Sequence, residues 1–175
     1  MSAPQANFRP LVAAGTLLGI GLGGFVDGIV LHQILQVHNM LSAKYPPDTL
    51  VNVEINMVWD GLFHAFTWLM TVIGLAMLWR AGQKPEVPWS TRTLIGSLVM
   101  GWGVFNLVEG VIDHHILHLH HVIERLGASA ADWLFLGVGG VLFLLVGRAI
   151  IASGSRDTPA SHPSPGTAPG PGGRY

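Results

Sequence analysis

The sequence predicts an all-α integral membrane protein. The expected architecture is a four-helix bundle made from a duplicated helical hairpin, followed by a disordered C-terminal tail. Three observations predict it. Half of the 175 residues are hydrophobic, only 11% are Asp, Glu, Lys or Arg, and the mean hydropathy is +0.48, whereas a soluble domain carries about 25% charged residues. Four segments are apolar over the roughly 20 residues that a bilayer crossing requires. Two of those segments end in the same pattern of glycine, carboxylate and histidine.

The expected spans run over about 11–37, 58–79, 93–116 and 132–151, within a membrane domain covering 1–152. Glycine recurs inside them (Gly15, Gly19, Gly21, Gly23 and Gly24 in the first, Gly101 and Gly103 in the third), and small residues let membrane helices approach closely. The first span follows Arg9 but is too long for a cleaved leader and lacks a small-residue cleavage site, so it reads as a permanent helix. Residues 153–175 are Pro, Gly, Ser and Thr with few apolar positions, a composition that does not fold on its own. Orientation follows from the basic residues. Arg9, Arg80, Lys84, Arg92, Arg148, Arg156 and Arg174 fall on one side, Lys44 and Arg125 on the other, which predicts both termini in the cytoplasm.

The composition also excludes. A formal net charge of −1 offers no basic patch for nucleic acid. With no cysteine there are no thiolate ligands or Cys-held iron–sulfur clusters, so any metal must be held by His, carboxylate, amide or Met.

Shifting the chain by 82 positions lays "FVDGIVLHQILQVHNM" (25–40) over "LVEGVIDHHILHLHHV" (107–122). Val26, Gly28, His32, Ile34, Leu35 and His38 match Val108, Gly110, His114, Ile116, Leu117 and His120, and Asp27 lies over Glu109. The second and fourth spans echo each other through "DGLF" (60–63) and "DWLF" (132–135). A duplicated hairpin explains both. Because the spans alternate in direction, Asp27, His32, His38, Asp60, His64, Glu109, Asp113, His114, His120, His121 and Asp132 all fall at one membrane face, the outer one by the charge rule.

On an α-helix at roughly 100° per residue, His38 falls within about 20° of Asp27 and His120 within about 20° of Glu109, with Asp113 near 40°, His121 near 120°, and His32 and His114 near 140°. Asp60 and His64 are one turn apart on one face. His115 and His118 point elsewhere, and they and His121 read equally well as solvated surface groups. Asp132 reads first as a helix cap. Asn39, Gln33, Asn106 and Asn56 read as supporting amides, and His162 in the tail is set aside.

A carboxylate at the centre of a span costs about 2.5–3.5 kcal/mol on insertion scales. A divalent cation would offset that cost for Asp27, Asp60 and Glu109 and would satisfy their lone pairs. Imidazole suits Fe, Cu, Zn and Ni, and helix bundles build di-metal sites from inward carboxylates and histidines. Eight of the nine histidines lie between 32 and 121, too many for one four-coordinate ion. The expected metal ligands are Asp27, His32, His38, Asp60, His64, Glu109, Asp113, His114, His120 and His121, around two ions of Fe or Cu, with Zn as an alternative.

The strings "GFVDGIVLHQILQ", "DGLFHA", "GWGVFNLVEGVIDHHIL" and "HHV" resemble a family of predicted bacterial membrane proteins of unknown function, DUF2243, over most of the chain outside the tail. The resemblance implies a four-span bacterial inner-membrane protein and brings no activity with it. The family commonly carries His-His where this chain has His38-Asn39.

Three functions compete. A metal-dependent oxidoreductase fits bundled histidines and carboxylates, though "HHILHLHH" lacks the HxxHH box of membrane desaturases and hydroxylases, and the charge rule puts the site on the other face from theirs. A copper or other metal-delivery protein serving assembly of a respiratory enzyme partner fits an accessible site, against which stands the scarcity of Met beside it (Met40 and Met57), since Cu(I) prefers soft ligands. A bis-His haem protein is the third. A proton relay is disfavoured, because the spans continue toward the cytoplasm with only Thr16, Thr67, Thr71 and Ser97 as polar steps.

Overall fold

The computed structural model describes residues 6–154. Four long helices make up most of the described residues: α1 (Arg9–Ile34), α2 (Leu50–Gly82), α3 (Thr91–Ile116) and α4 (Ala130–Gly154), each long and apolar enough to cross a membrane. A single 3₁₀ turn, Glu124–Leu126, interrupts the connection from α3 to α4. The expected tail lies outside the described residues from 155 onward, as does His162.

Local chemistry sets the helix starts. Pro10 opens α1, where its missing N–H costs nothing. Thr49 caps α2 by accepting from the Asn52 N–H at 3.2 Å. Ser90 does the same for α3 through Thr93. Ser129 and Asp132 form a reciprocal capping box at α4. α2 starts at Leu50 rather than near 58 because its first turns support the preceding loop. The Asn56 carbonyl accepts the Leu41 N–H at 3.0 Å, and its amide donates to the Tyr45 carbonyl at 2.7 Å.

α1 and α3 form the central pair, with α2 packed on α1 and α4 on α3. Glycine allows the central crossing. A Cβ on Gly19 would collide with the Leu98 carbonyl, and one on Gly101 with the Thr16 carbonyl. Those contacts are mirror images, since Thr16 and Leu98 are themselves 82 residues apart, and they mark the pseudo-two-fold axis.

The burial pattern is that of a membrane protein. Leu22, Ile29, Leu62, Phe66, Trp68 and Leu145 are exposed on the lipid-facing surface. A small apolar cluster of Leu11, Ala81 and Val87, packed by Leu78 and Leu94, closes one end of the bundle. The opposite end buries polar groups: Asp27, His32, His38, Asp60, Glu109, His114, His120 and Asp132 are all at most 5% exposed.

The duplication extends to the backbone. α1 relaxes from α to π geometry over Asp27–Ile34, and α3 over Gly110–Ile116. Both helices then stop in the same way. Leu35 N–H donates to Val30 and Val37 N–H to Leu31; Leu117 donates to Ile112 and Leu119 to Asp113. Among the described residues, the non-glycine positions with positive φ are Gln36 (49°) and His118 (48°), again 82 apart. The chain therefore turns sharply inward after each span. This is why α1 ends at Ile34 instead of running to 37.

Candidate metal centre

The π turns gather the first ligands. In a π-helix each N–H bonds to the carbonyl five residues back, so side chains five apart share a face. Asp27 and His32 are such a pair, and so are Glu109 and His114. His32 Nε2 lies 3.1 Å from Asp27 Oδ2, and His114 Nε2 lies 3.0 Å from Glu109 Oε1. The α-helical expectation of near 140° for His32 and His114 is corrected by this widening.

The inward turns bring in the second pair. His38 and His120 are not carried by a continuing helix; the left-handed residues Gln36 and His118 swing them back over the bundle end. Their rings stack at 4.6 Å with an interplanar angle of 11°. His120 Nε2 sits 2.8 Å from Glu109 Oε1, and His38 Nε2 sits 3.8 Å from Asp27 Oδ1. The four rings are contiguous, with His32 4.6 Å from His38 and His114 4.8 Å from His120.

Three of the four Nδ1 atoms are hydrogen-bonded from the outside, and the fourth, that of His114, faces a carboxylate without a hydrogen bond. That of His32 faces Asp60 Oδ1 at 2.9 Å, and that of His114 faces Asp132 Oδ1 at 3.3 Å. The loops cross to supply the other two: His38 Nδ1 donates to the Val122 carbonyl at 2.9 Å and His120 Nδ1 to the Met40 carbonyl at 3.1 Å. Those loop residues are tied down in turn, with Met40 N–H bound to Asp60 Oδ1 and Val122 N–H to Asp132 Oδ1. An imidazole whose outer nitrogen is held by a carboxylate or carbonyl is prepared for metal ligation at the inner one; here the inner nitrogens of His32 and His38 are without a hydrogen bond, while those of His114 and His120 meet Glu109 Oε1.

The inner atoms are under-satisfied. His32 Nε2, His38 Nε2 and Glu109 Oε2 are buried without a hydrogen-bond partner, and buried polar atoms are rarely left so. Burial, reinforced by the His120 and His32 rings, pushes the His38 pKa down to about 3, so its lone pair is free at neutral pH. Two groups, His32–His38–His120 and Glu109–His114–His120, present ligand atoms within 4.8 Å of one another. Ligands at about 2.0–2.2 Å from one ion lie no more than about 4.4 Å apart, so small inward movements would close either group. The centre thus comprises two His/carboxylate clusters with His120 common to both, and such clusters could coordinate metal ions.

The expected ligands separate into three sets. Asp27, His32, His38, Glu109, His114 and His120 come together. Asp60 stands behind His32, and its oxygens already accept from His32, Met40, Gln33 and Asn39. His64, Asp113 and His121 lie outside both groups. His64 turns back to its own helix, its Nδ1 on the Asp60 carbonyl at 2.7 Å. Asp113 is half-buried and lines a lipid-side groove. His121 Nδ1 lies 3.5 Å from Asp132 Oδ1. The sequence sets Asp132 in the same polar layer, where it reads first as a cap and is left out of the expected ligands. It is both a cap and the anchor of His114, and the match of "DWLF" to "DGLF" was the signal, since it sets Asp132 over Asp60.

Fold and site define a class: integral membrane four-helix proteins with a buried histidine–carboxylate centre at one end of the bundle. The chain belongs to the DUF2243 family, described as "predicted membrane protein", whose profile matches residues 14–154. Neither the curated proteins nor the solved structures include a match.

Proposed function

We propose that the centre binds two transition-metal ions, Fe or Cu, and that the protein is a membrane metal-dependent oxidoreductase with its site near the extracytoplasmic face and both termini in the cytoplasm. The observation that carries this is the convergence of four histidines, three of them hydrogen-bonded at Nδ1 and the fourth, His114, facing Asp132 there, with their Nε2 atoms gathered around Asp27 and Glu109. Charge supports it. Among the described residues, the ion-pair partners of Asp27, Asp60, Glu109 and Asp132 are all histidines. Two divalent cations would balance the four carboxylates, 2 × (+2) against 4 × (−1), where an unpaired buried carboxylate would be expensive.

Ions held this way supply one-electron chemistry at a site shielded from water. The residues of the chain do the rest. Asp60, Asp132 and the two loop carbonyls hold the rings in orientation, while Glu109 connects the site to the bilayer. A groove of about 480 Å³, lined by Trp59, Leu62, Phe66, Val108 and Ile112, opens from the lipid side and reaches Glu109 and Asp113. This favours a substrate that partitions into the membrane.

Metal delivery to a respiratory enzyme is the second reading, favoured by a histidine-lined pocket on the outer side of His114. A bis-His haem is disfavoured by packing, because a macrocycle would have to pass between rings whose centroids are 4.6–4.8 Å apart. The test is elemental analysis of the protein purified from membranes, with its optical spectrum. About two Fe or Cu per chain and no Soret band supports the proposal. A Soret band, or metal-free protein with an intact fold, overturns it.

A further inference from the structure

The two halves differ where the duplication should have made them alike. Around Asp60, the side chains at 33 and 39 are amides: Gln33 Nε2 and Asn39 Nδ2 both donate to Asp60 Oδ2, at 3.2 and 2.9 Å. The positions 82 residues on are His115 and His121, beside Asp132, and the left-handed Gln36 is matched by His118. One carboxylate is sealed by amides; its counterpart is surrounded by imidazoles.

These imidazoles line a pocket. Its volume is about 120 Å³, and its walls include His114, His115, His118, His121, Asp132 and Trp133. Three of its nitrogens, Nδ1 of His114, His115 and His121, are buried without a hydrogen-bond partner. Burial is graded across it. His118 is exposed, the His121 side chain is 12% exposed, and Asp132 and His114 are 2% and 1% exposed. His114 is the shared wall: its Nδ1 is on the pocket side with Asp132, and its Nε2 is on Glu109 in the inner centre. Unpaired imidazole nitrogens beside a buried carboxylate are the donor types a transition-metal ion takes. Their ligand atoms are not gathered within 4.8 Å as those of the inner groups are, so an ion would draw the exposed His118 inward, and an open, partly solvated pocket suits one that exchanges.

We propose that His115, His118, His121 and Asp132 form a second, exchangeable transition-metal site, and that ions reach the buried centre through it. The passage role rests on the two-ion reading of that centre; the outer site does not. The first half supplies the control, because it already shows that amides fit at these positions. The variant H115Q/H118Q/H121N rebuilds the amide pattern of the first half on the second. It is compared with the wild type, both stripped of metal in detergent and mixed with Cu²⁺ alone. Bound copper is counted at equilibrium, and its histidine-nitrogen couplings are followed against time.

The expected result is a loss of about one copper per chain, with filling of the inner centre slowed at least tenfold, the lower end of what losing a metal-site partner usually costs. Unchanged stoichiometry overturns the outer site. An unchanged loading rate overturns the passage. His38→Ala/His120→Ala separates the two readings, since it should empty the inner centre and keep the outer copper. If the wild type takes up only the copper that the triple variant lacks, the outer site stands, while the inner reading and the passage both fail. Should the triple variant not fold, H118Q alone is used. The His118 side chain is exposed, and its loss should weaken the outer copper by more than the roughly tenfold that losing a supporting partner costs; wild-type affinity in H118Q overturns the role of His118 as a ligand.

Discussion

The two halves of the molecule share the course of their central helix, although α4 widens to π geometry over Phe135–Leu142 where α2 stays α-helical, and they carry two chemistries. Each has a central helix that widens into a π turn after a carboxylate-bearing stripe, stops at a left-handed residue, and folds a histidine over the bundle end. Each has a flanking helix whose Asp anchors the π-turn histidine and the loop of its own half. Yet the first half closes Asp60 with Gln33 and Asn39, whereas the second leaves Asp132 among His115, His118 and His121. The likeness builds a shared, symmetric interior; the unlikeness gives that interior one sealed flank and one open one. Symmetry here is a scaffold, and function is read from where it breaks.

The largest effect is expected from breaking the axis itself. Gly101→Leu drives a side chain into the Thr16 backbone. The cost should exceed the roughly 1–3 kcal/mol of ordinary overpacking, because a backbone cannot move aside as a side chain can. Folded protein should disappear from the membrane fraction on size-exclusion chromatography, and Gly19→Leu should match it. Wild-type yield for either would place the crossing elsewhere.

Next come the paired histidines. His120 belongs to both ligand groups and His38 to one. His120→Ala should therefore lower metal affinity more than His38→Ala. Both losses should exceed the roughly 10–100-fold that removal of an anchoring partner costs, as measured by metal titration. Equal, small losses would show that the rings pack without ligating.

The anchors should follow. Asp60→Asn puts an amide N–H₂ where four donors converge, so it should cost about 1–3 kcal/mol in stability and about 10–100-fold in metal affinity. Asp132→Asn should match it in affinity and cost at least as much in stability, because both Asp132 oxygens accept backbone N–H groups, from Val122 and Ser129, that cannot reverse. Thermal melts with metal titrations of both variants decide this. The smallest effect belongs to His64→Ala. His64 bonds to its own helix, so its loss should leave metal content unchanged and stability within about 0.5 kcal/mol.

Much of this was legible in the chain. The spans follow from hydropathy, and the shift of 82 pairs His32 with His114 and His38 with His120 without any structure. The angular reading was misled by one assumption. At 3.6 residues per turn His32 points away from Asp27, and only the π turn, which no local residue pattern announces, brings them together. The same assumption sets Asp113 on the site's face, where it instead lines a groove; α2 is α-helical throughout, and His64 misses the centre because its ring bonds to the Asp60 carbonyl of its own helix. Asp132 was discounted because a carboxylate three residues after a serine at a helix start is an ordinary cap; it is one, and its second oxygen does the other work. The loop carbonyls of Met40 and Val122 could not be read at all, since a backbone acceptor is the same at every residue and only the fold selects it.

X-ray absorption at the metal edge of the purified protein tests the central claim most directly. A shell of nitrogen and oxygen at about 2.0–2.2 Å, with the outer-shell scattering of several imidazoles per metal, is the predicted result, and it should be lost in His38→Ala/His120→Ala. An oxygen-only shell without imidazole scattering, or a spectrum the double variant leaves unchanged, would contradict it.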